Sequence, residues 1–298
     1  MQKNYGFLGR LALLAAALIW GSSFFIFKST LDSIGTLWLL TIRFSVSAVL
    51  LLAICWRKVL KMDKCSLLGS VYMGLSLTAA YILQTYGLVY TTAGKNAFLT
   101  ASYCMLVPFL VWIVYKKKPG INTLIASVLC LTGIGLVSLE NGFGRVNIGD
   151  VLTLSCGVFY ALQIILIEHY VEHWDALSLS TVQFGVAGVI CVILAFFFEP
   201  LPQSLPLDAC FSLAYLSIVS TALCYLLQAW GLRYTPSATA TVLMSLEAVF
   251  GVIFAAIFGG EHVSANSLFG FALILVSELL NELGAKLFKP KQKKLKLD

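Results

Sequence analysis

Residues 81–91 read YILQTYGLVYT, and residues 225–235 read YLLQAWGLRYT. Seven of the eleven positions are identical at a constant offset of 144. Tyr81, Leu83, Gln84, Gly87, Leu88, Tyr90 and Thr91 return as Tyr225, Leu227, Gln228, Gly231, Leu232, Tyr234 and Thr235. Average composition supplies about one such match by chance. The likeness continues weakly downstream, where TASYCMLVPF aligns with MSLEAVFGVI at the same offset. Upstream, at an offset of 140, TIRFSVSAVLLLA meets TVQFGVAGVICVI, so Arg43 faces Gln183. Further upstream LIWGSSF meets VFYALQI, pairing Trp20 with Tyr160. The chain therefore divides into two related halves, 1–140 and 145–286, followed by a basic tail, 287–298.

What the halves are made of decides where they live. Hydrophobic residues make up 59% of the 298 positions and charged residues 11%, with a mean hydropathy of +0.91. A soluble domain carries roughly 25% charge, and burying this much apolar surface requires lipid. The net charge of +6 is not the footprint of a nucleic-acid binder, because the bases sit in short clusters between long apolar runs. A helix needs about 20 residues to cross the hydrocarbon core. Ten runs reach that length, near 7–27, 34–56, 66–90, 94–115, 121–139, 149–168, 178–198, 209–231, 237–259 and 266–286. They are uniformly apolar rather than alternating, which excludes barrel strands. The first run continues through GSSFFIF without a cleavage signal and reads as a retained span, not a signal peptide.

Orientation follows from Lys and Arg. With the N-terminus in the cytoplasm and ten alternating spans, sixteen basic residues fall inside and three outside. The inside set includes Arg57, Lys58, Lys61 and Lys64, then Lys116 to Lys118, and six lysines from Lys286 to Lys296. The outside set is Lys28, Lys95 and Arg145, and Arg43 is left within a span. This bias predicts a multi-pass protein of the plasma (inner) membrane with both termini cytoplasmic. The lysine-rich tail is a solvated stop signal with a secondary affinity for anionic lipid.

Five spans per half is an odd number, so two consecutive copies enter the membrane in opposite directions. The predicted fold is an all-α integral membrane protein of ten transmembrane helices in two inverted five-helix repeats. Such repeats build carriers, since a state open inward implies a mirror state open outward.

Ten spans in two five-span halves, with basic 2–3 and 4–5 loops, resemble the drug/metabolite transporter superfamily, and within it the EamA-type carriers. The matching stretches are LIWGSSF, IRF, YGLVYTTAGKNAFLTASYCMLVP and SLEAVF…GGEHVS, in that order and spacing. One departure is Ala248, where the family often has Pro after the span 9 Glu. The resemblance implies a central cavity lined by spans 3, 4, 8 and 9. That makes Gln84, Asn96, Thr100 and Tyr103 pathway candidates from the first half. Gln228, Trp230, Thr241, Met244 and Glu247 are their counterparts in the second, with Trp20 and Tyr160 from spans 1 and 6.

Polar groups within a bilayer are costly and each needs a reason. Arg43 holds a substrate carboxylate or gate, or forms an interhelical ion pair with Glu247 or Glu278. Glu247 is a proton relay or a permanently paired structural carboxylate. Glu278, nearer the cytoplasmic end, packs or snorkels. Gln84 and Gln228, able to donate and accept, serve a polar ligand or join helices.

Other chemistries find little purchase. Six cysteines lie in spans without a CxxC pair and read as small apolar residues. His169 and His173 stand at i and i+4 but no third metal ligand is evident. Gly142 and Gly144 lack a nucleotide-binding context, and no Walker motif occurs. The expectation is a secondary carrier, exporting a small organic metabolite such as an amino acid. It needs no cofactor, takes protons as a candidate coupling ion, binds no nucleic acid, and works as a monomer or homodimer. A membrane enzyme would cluster His, Asp or Glu at one face. A channel would show a filter-like segment.

Overall fold

The computed structural model describes residues 2–116, 118–138, 147–171, 173–202, 204–235 and 237–287. Gly142, Gly144 and the tail beyond Leu287 lie outside the described residues. The described residues are helical and contain no strand. The helices are α1 (Gln2–Thr30), α2 (Thr36–Val59), α3 (Lys64–Tyr90), α4 (Ala93–Ala101), α5 (Tyr103–Tyr115) and α6 (Ile121–Ser138). The second half holds α7 (Ile148–Tyr170), α8 (Ala176–Phe198), α9 (Leu207–Ala214), a π-helix (Tyr215–Leu223), α10 (Cys224–Tyr234), α11 (Ser237–Gly259) and α12 (Ala265–Leu287). Seven rods are long and apolar enough to cross a membrane, and shorter apolar stretches lie at Ile121–Val137, Leu243–Gly259 and Ala265–Leu280.

Two of the expected spans are not simple rods. The fourth is broken at Ser102, whose hydroxyl turns back onto the Leu99 carbonyl at 2.6 Å, so Tyr103 starts a new helix. The eighth passes through the π-helix between α9 and α10. Such interruptions survive in membranes only where freed backbone groups find partners.

The recurring glycine of the duplicated stretch has a packing role. Gly87 on α3 meets Gly149 on α7, and a Cβ added to Gly149 would stand 2.6 Å from the Gly87 carbonyl. Its counterpart, Gly231 on α10, meets Gly9 on α1, with a Cβ on Gly231 falling 3.0 Å from the Gly9 carbonyl. Residues 9 and 149 are themselves related by the offset of 140. Small residues let helix backbones approach in lipid, where dispersion replaces the hydrophobic effect between helices. Equivalent positions also meet at the α2–α8 contact, where Phe44 and Phe184 stack with centroids 5.8 Å apart. The outer surface is an apolar belt, with Val49, Leu131 and Phe197 among its exposed side chains.

We expect Gly149→Ala to destabilise the protein by about 1–3 kcal/mol, the range for forcing atoms into a packed contact. Gly135, with nothing within 4 Å of its built Cβ, is the control, and Gly135→Ala should be neutral. Thermal unfolding in detergent reads both. An equal response from the two variants would show that the close α3–α7 approach is not what matters.

At one end of the bundle, side chains clamp helix termini of other elements. Lys28 donates to the carbonyls of Leu88, Val89 and Thr91 at 2.6–3.0 Å, closing the C-terminus of α3. Glu261, in the turn after α11, accepts from the Ala93 and Gly94 amides at 2.6 and 3.0 Å, capping α4. Glu199, ending α8, accepts from the Leu37 and Trp38 amides and from the Tyr86 hydroxyl, capping α2. Thr91 donates to Asp150 at 2.6 Å and Asn147 to the Tyr90 carbonyl at 2.7 Å. Carboxylates belong at helix N-termini and cations at C-termini, because each meets unsatisfied groups of opposite polarity.

The other end is held more sparsely. Lys58 pairs with Asp175 at 3.2 Å on the exposed surface. Asp63 caps α3, and hydrogen bonds from Ser66 hold its carboxyl below the usual carboxylate range. Tyr170 lies over Gly69.

Candidate functional site

A cavity of 380 Å³ lies within the bundle, walled by α1, α3, α4, α7, α10 and α11, with Arg43 entering from α2 and Glu278 from α12. That volume is in the range of small-molecule sites. Trp20, Gln84, Asn96, Thr100, Tyr103 and Tyr160 line it, as do Gln228, Met244 and Glu247. Trp230 does not: it is 39% exposed and packs against Tyr234, 5.2 Å between ring centroids. It follows Gln228 by two residues, about 200° around the helix, and so points away from the face that Gln228 presents. The side chain of Thr241 lies outside the described residues.

Arg43 is 1% exposed and held without a carboxylate. Its Nε donates to the Thr221 hydroxyl at 2.6 Å, and its guanidinium lies 4.6 Å from the Phe27 ring centroid and 4.8 Å from that of Tyr81. Rings on a cation replace part of the lost hydration. The π-helix supplies the rest of the cradle. It leaves the Ser220 carbonyl to accept from Trp20 Nε1 at 2.8 Å, while Thr221 donates five residues back to Leu216. Ser217 offers its carbonyl to Ser47, one turn beyond Arg43 on α2. The ion pair expected with Glu247 or Glu278 is thus not the arrangement found: hydroxyls and aromatic rings solvate this cation.

The mirror glutamines have different surroundings. Gln84 accepts from the Tyr160 hydroxyl at 2.7 Å and donates to Thr100 at 3.0 Å. Asn96 adds bonds to the Gln84 carbonyl and to Thr153 at 3.1 and 2.8 Å. At the repeat-related positions stand Trp20 for Tyr160, Met244 for Thr100 and Ala240 for Asn96. Among the described residues the hydrogen-bond partner of Gln228 is the Met244 sulfur, at 3.7 Å. A thioether is a weak acceptor, so one glutamine is tied into the wall and the other is available.

Glu247 occupies the position equivalent to Tyr103. It faces the cavity, and among the described residues no side chain or amide hydrogen-bonds it. Glu278 also lines the cavity but is 2% exposed. His169 and His173 sit away from the cavity with rings 5.8 Å apart, and the His173 ring lies against the His169 carbonyl.

Sequence reasoning missed Phe27, Ser220 and Thr221, which hold Arg43, and Gln163, which lines the cavity and bonds Gln183 at 3.1 Å. The run SIVSTAL, with three hydroxyls inside a span, was the available signal.

The asymmetry makes a prediction. Gln84→Ala removes two bonds and orphans partners, so it should cost about 1–3 kcal/mol of stability. Gln228→Ala should leave the melting temperature nearly unchanged and weaken ligand binding several-fold, by about 0.5–1.5 kcal/mol. Equal destabilisation by both would mean that Gln228 also joins helices.

Comparison with known proteins agrees with the cavity. The sequence profile described as "EamA-like transporter family" matches twice, at residues 7–139 and 147–281. An uncharacterized transporter of Archaeoglobus fulgidus is 30% identical over 272 residues, 91% of this chain and 84% of the relative. A protein of Chlamydia trachomatis named S-adenosylmethionine/S-adenosylhomocysteine transporter is 22% identical, over 87% of this chain and 84% of its own. A solved crystal structure superimposes with a TM-score of 0.69 at 13% identity, covering 95% of this chain and 99% of the other. That last likeness concerns the fold.

Proposed function

This chain belongs to the EamA-like transporter family, and from that membership we propose that it is a secondary active carrier that exports a small organic metabolite. The observation that carries the reading is the cavity itself. It is walled by both halves, and the repeat-related pairs Gln84 with Gln228 and Tyr160 with Trp20 all line it.

Alternating access between inverted repeats is the mechanism we propose, for three reasons. The family profile matches each half separately. The C-terminus of α8 caps the N-terminus of its equivalent, α2, so the two run in opposite directions. The glycine contacts α3–α7 and α1–α10 are the same contact at opposite ends of the bundle. Exchanging the packing of one pair for that of its mirror closes one end and opens the other, with the cavity fixed between them.

Export is favoured by which end is clamped. Lys28, Glu199 and Glu261 secure the end predicted to face outward. The cavity lining runs from Phe27 and Leu88, beneath the clamped end, to Ile167 and Leu232, near the ends of α7 and α10 on the side without those clamps. A cavity reached from the cytoplasm loads cargo there. The relative named for S-adenosylmethionine and S-adenosylhomocysteine makes metabolites of that size reasonable first substrates.

The test is counterflow in proteoliposomes. Vesicles loaded with unlabelled S-adenosylmethionine, amino acids or amines should accumulate labelled substrate transiently and saturably. Flux that rises linearly with concentration for every substrate would point to a channel and sink the carrier reading.

A further inference from the structure

We propose that the cavity selects an organic cation, an amine or onium group on a small body, with its positive centre at Glu247. This rests on the carrier reading and names the substrate class of its cavity.

The argument starts from the two non-equivalent walls. At one wall Tyr160 and Thr100 occupy the Gln84 side chain. The Asn96 amide donates to Thr153 and to the Gln84 backbone carbonyl, with Asn96 Oδ1 buried and without a partner among the described residues. The positions related to these by the repeat carry Trp20, Met244, Gln228 and Glu247 in place of Tyr160, Thr100, Gln84 and Tyr103. These four cannot saturate one another. The Trp20 N–H is already given to the Ser220 carbonyl, and the Gln228 amide nitrogen meets the Met244 sulfur, a weak acceptor. What lines the cavity on this side is a carboxylate, an amide oxygen, a thioether and an indole ring. Each attracts positive charge: the carboxylate directly, the oxygen and sulfur through lone pairs, and the indole through its ring quadrupole.

An anion meets the opposite situation. The basic group on the lining is Arg43, and it is sheathed by Phe27 and Tyr81, bonded to Thr221 and 1% exposed. Two carboxylates, Glu247 and Glu278, line the same cavity. Arg43 Nη1 has no hydrogen-bond partner but is buried with essentially no accessible surface, and a ligand carboxylate would enter a space where the described lining carries two acidic residues and one basic. A ligand cation meets Glu247 without displacing anything. Desolvated charges in a cavity bind tightly only when paired, which makes the sign of the ligand the strongest discriminator the site possesses.

Three probes of one shape test this: tryptamine, tryptophol and indole-3-propionate share an indole and side chain but carry charges of +1, 0 and −1 at neutral pH. Binding to the purified full-length protein is measured by calorimetry and by thermal stabilisation. Tryptamine should bind at least tenfold more tightly than tryptophol, with indole-3-propionate weakest. In Glu247→Gln, which keeps the shape but not the charge, the three should fall within about twofold of each other. If that variant does not fold, the wild type still decides: dicyclohexylcarbodiimide should modify Glu247, seen by mass spectrometry, and tryptamine but not tryptophol should protect it. Preference for indole-3-propionate, no stabilisation by millimolar tryptamine, or unchanged preference in the variant overturns the proposal. Tryptamine binding with discrimination but no counterflow sinks the carrier reading and leaves the cation site standing. Counterflow with no charge preference does the reverse.

Discussion

An impermeant thiol reagent applied to intact cells is expected to label a cysteine at Ile148 almost completely and to leave the native Cys65 untouched. The background is Cys210→Ser, since Cys210 is exposed and lies near the same end as Ile148. Ile148 is 56% exposed at the N-terminus of α7, and Cys65 is exposed at the N-terminus of α3, so burial does not separate them. The bilayer does. In the orientation that the sequence predicts, sixteen bases fall inside and three outside, the arrangement that the cost of translocating charge favours. The clamped end holds Lys28, Glu199, Glu261 and Asn147, which places Ile148 with the external group. Opening the membrane should bring Cys65 up to the level of Ile148. Labelling of Cys65 alone in intact cells would invert the orientation, and equal labelling of both would remove the alternation of spans.

The Arg43→Ala variant is expected to lose about 3–5 kcal/mol of stability, the range for deleting a large buried side chain. Arg43 fills a space between Phe27, Phe44 and Tyr81 and is the group around which α2 and the π-helix meet. Alanine leaves a void there. Arg43→Met fills the space and removes the buried charge along with its desolvation cost, so its melting temperature should stay close to wild type. A wild-type melting temperature for Arg43→Ala in detergent would mean that the cradle does not support the fold. Counterflow by Arg43→Met then separates roles. Normal flux makes the arginine a packing element, and a folded protein without flux makes it part of the conformational cycle.

Much of this molecule was legible in its sequence. Hydropathy located ten rods within a few residues of where the helices lie, because a span is defined by its contact with lipid and that preference is local. The repeated GLxYT core announced the duplication, and the paired glycines explain why that letter persists: a side chain there would strike the facing backbone. Gln84, Gln228 and Glu247 could be picked out because a polar residue in a hydrophobic run is conspicuous, and Trp20 and Tyr160 because the repeat pairs them and the family resemblance places them at the cavity.

Direction was harder to read than position. Trp230 shares the repeat and the span with Gln228 but faces away, a matter of rotation about one helix axis. The break at Ser102 and the π-helix from Tyr215 have no proline or glycine at the interruption itself to announce them. In the π-helix distant donors meet what the local geometry leaves open, the Trp20 indole N–H giving to the Ser220 carbonyl and Arg43 Nε to the Thr221 hydroxyl. At Ser102 the residue's own hydroxyl donates to the Leu99 carbonyl.

By itself, then, the sequence determined a membrane-spanning, duplicated helical chain and the identities of the polar residues within it. Only the tertiary structure decided which of them are spent on one another. Gln84 and Gln228 are the same letter in the same phrase, yet one is tied to Tyr160 and Thr100 while the other meets Met244. Hydrogen bonding depends on atoms within about 3 Å, and those atoms come from helices that only folding brings together.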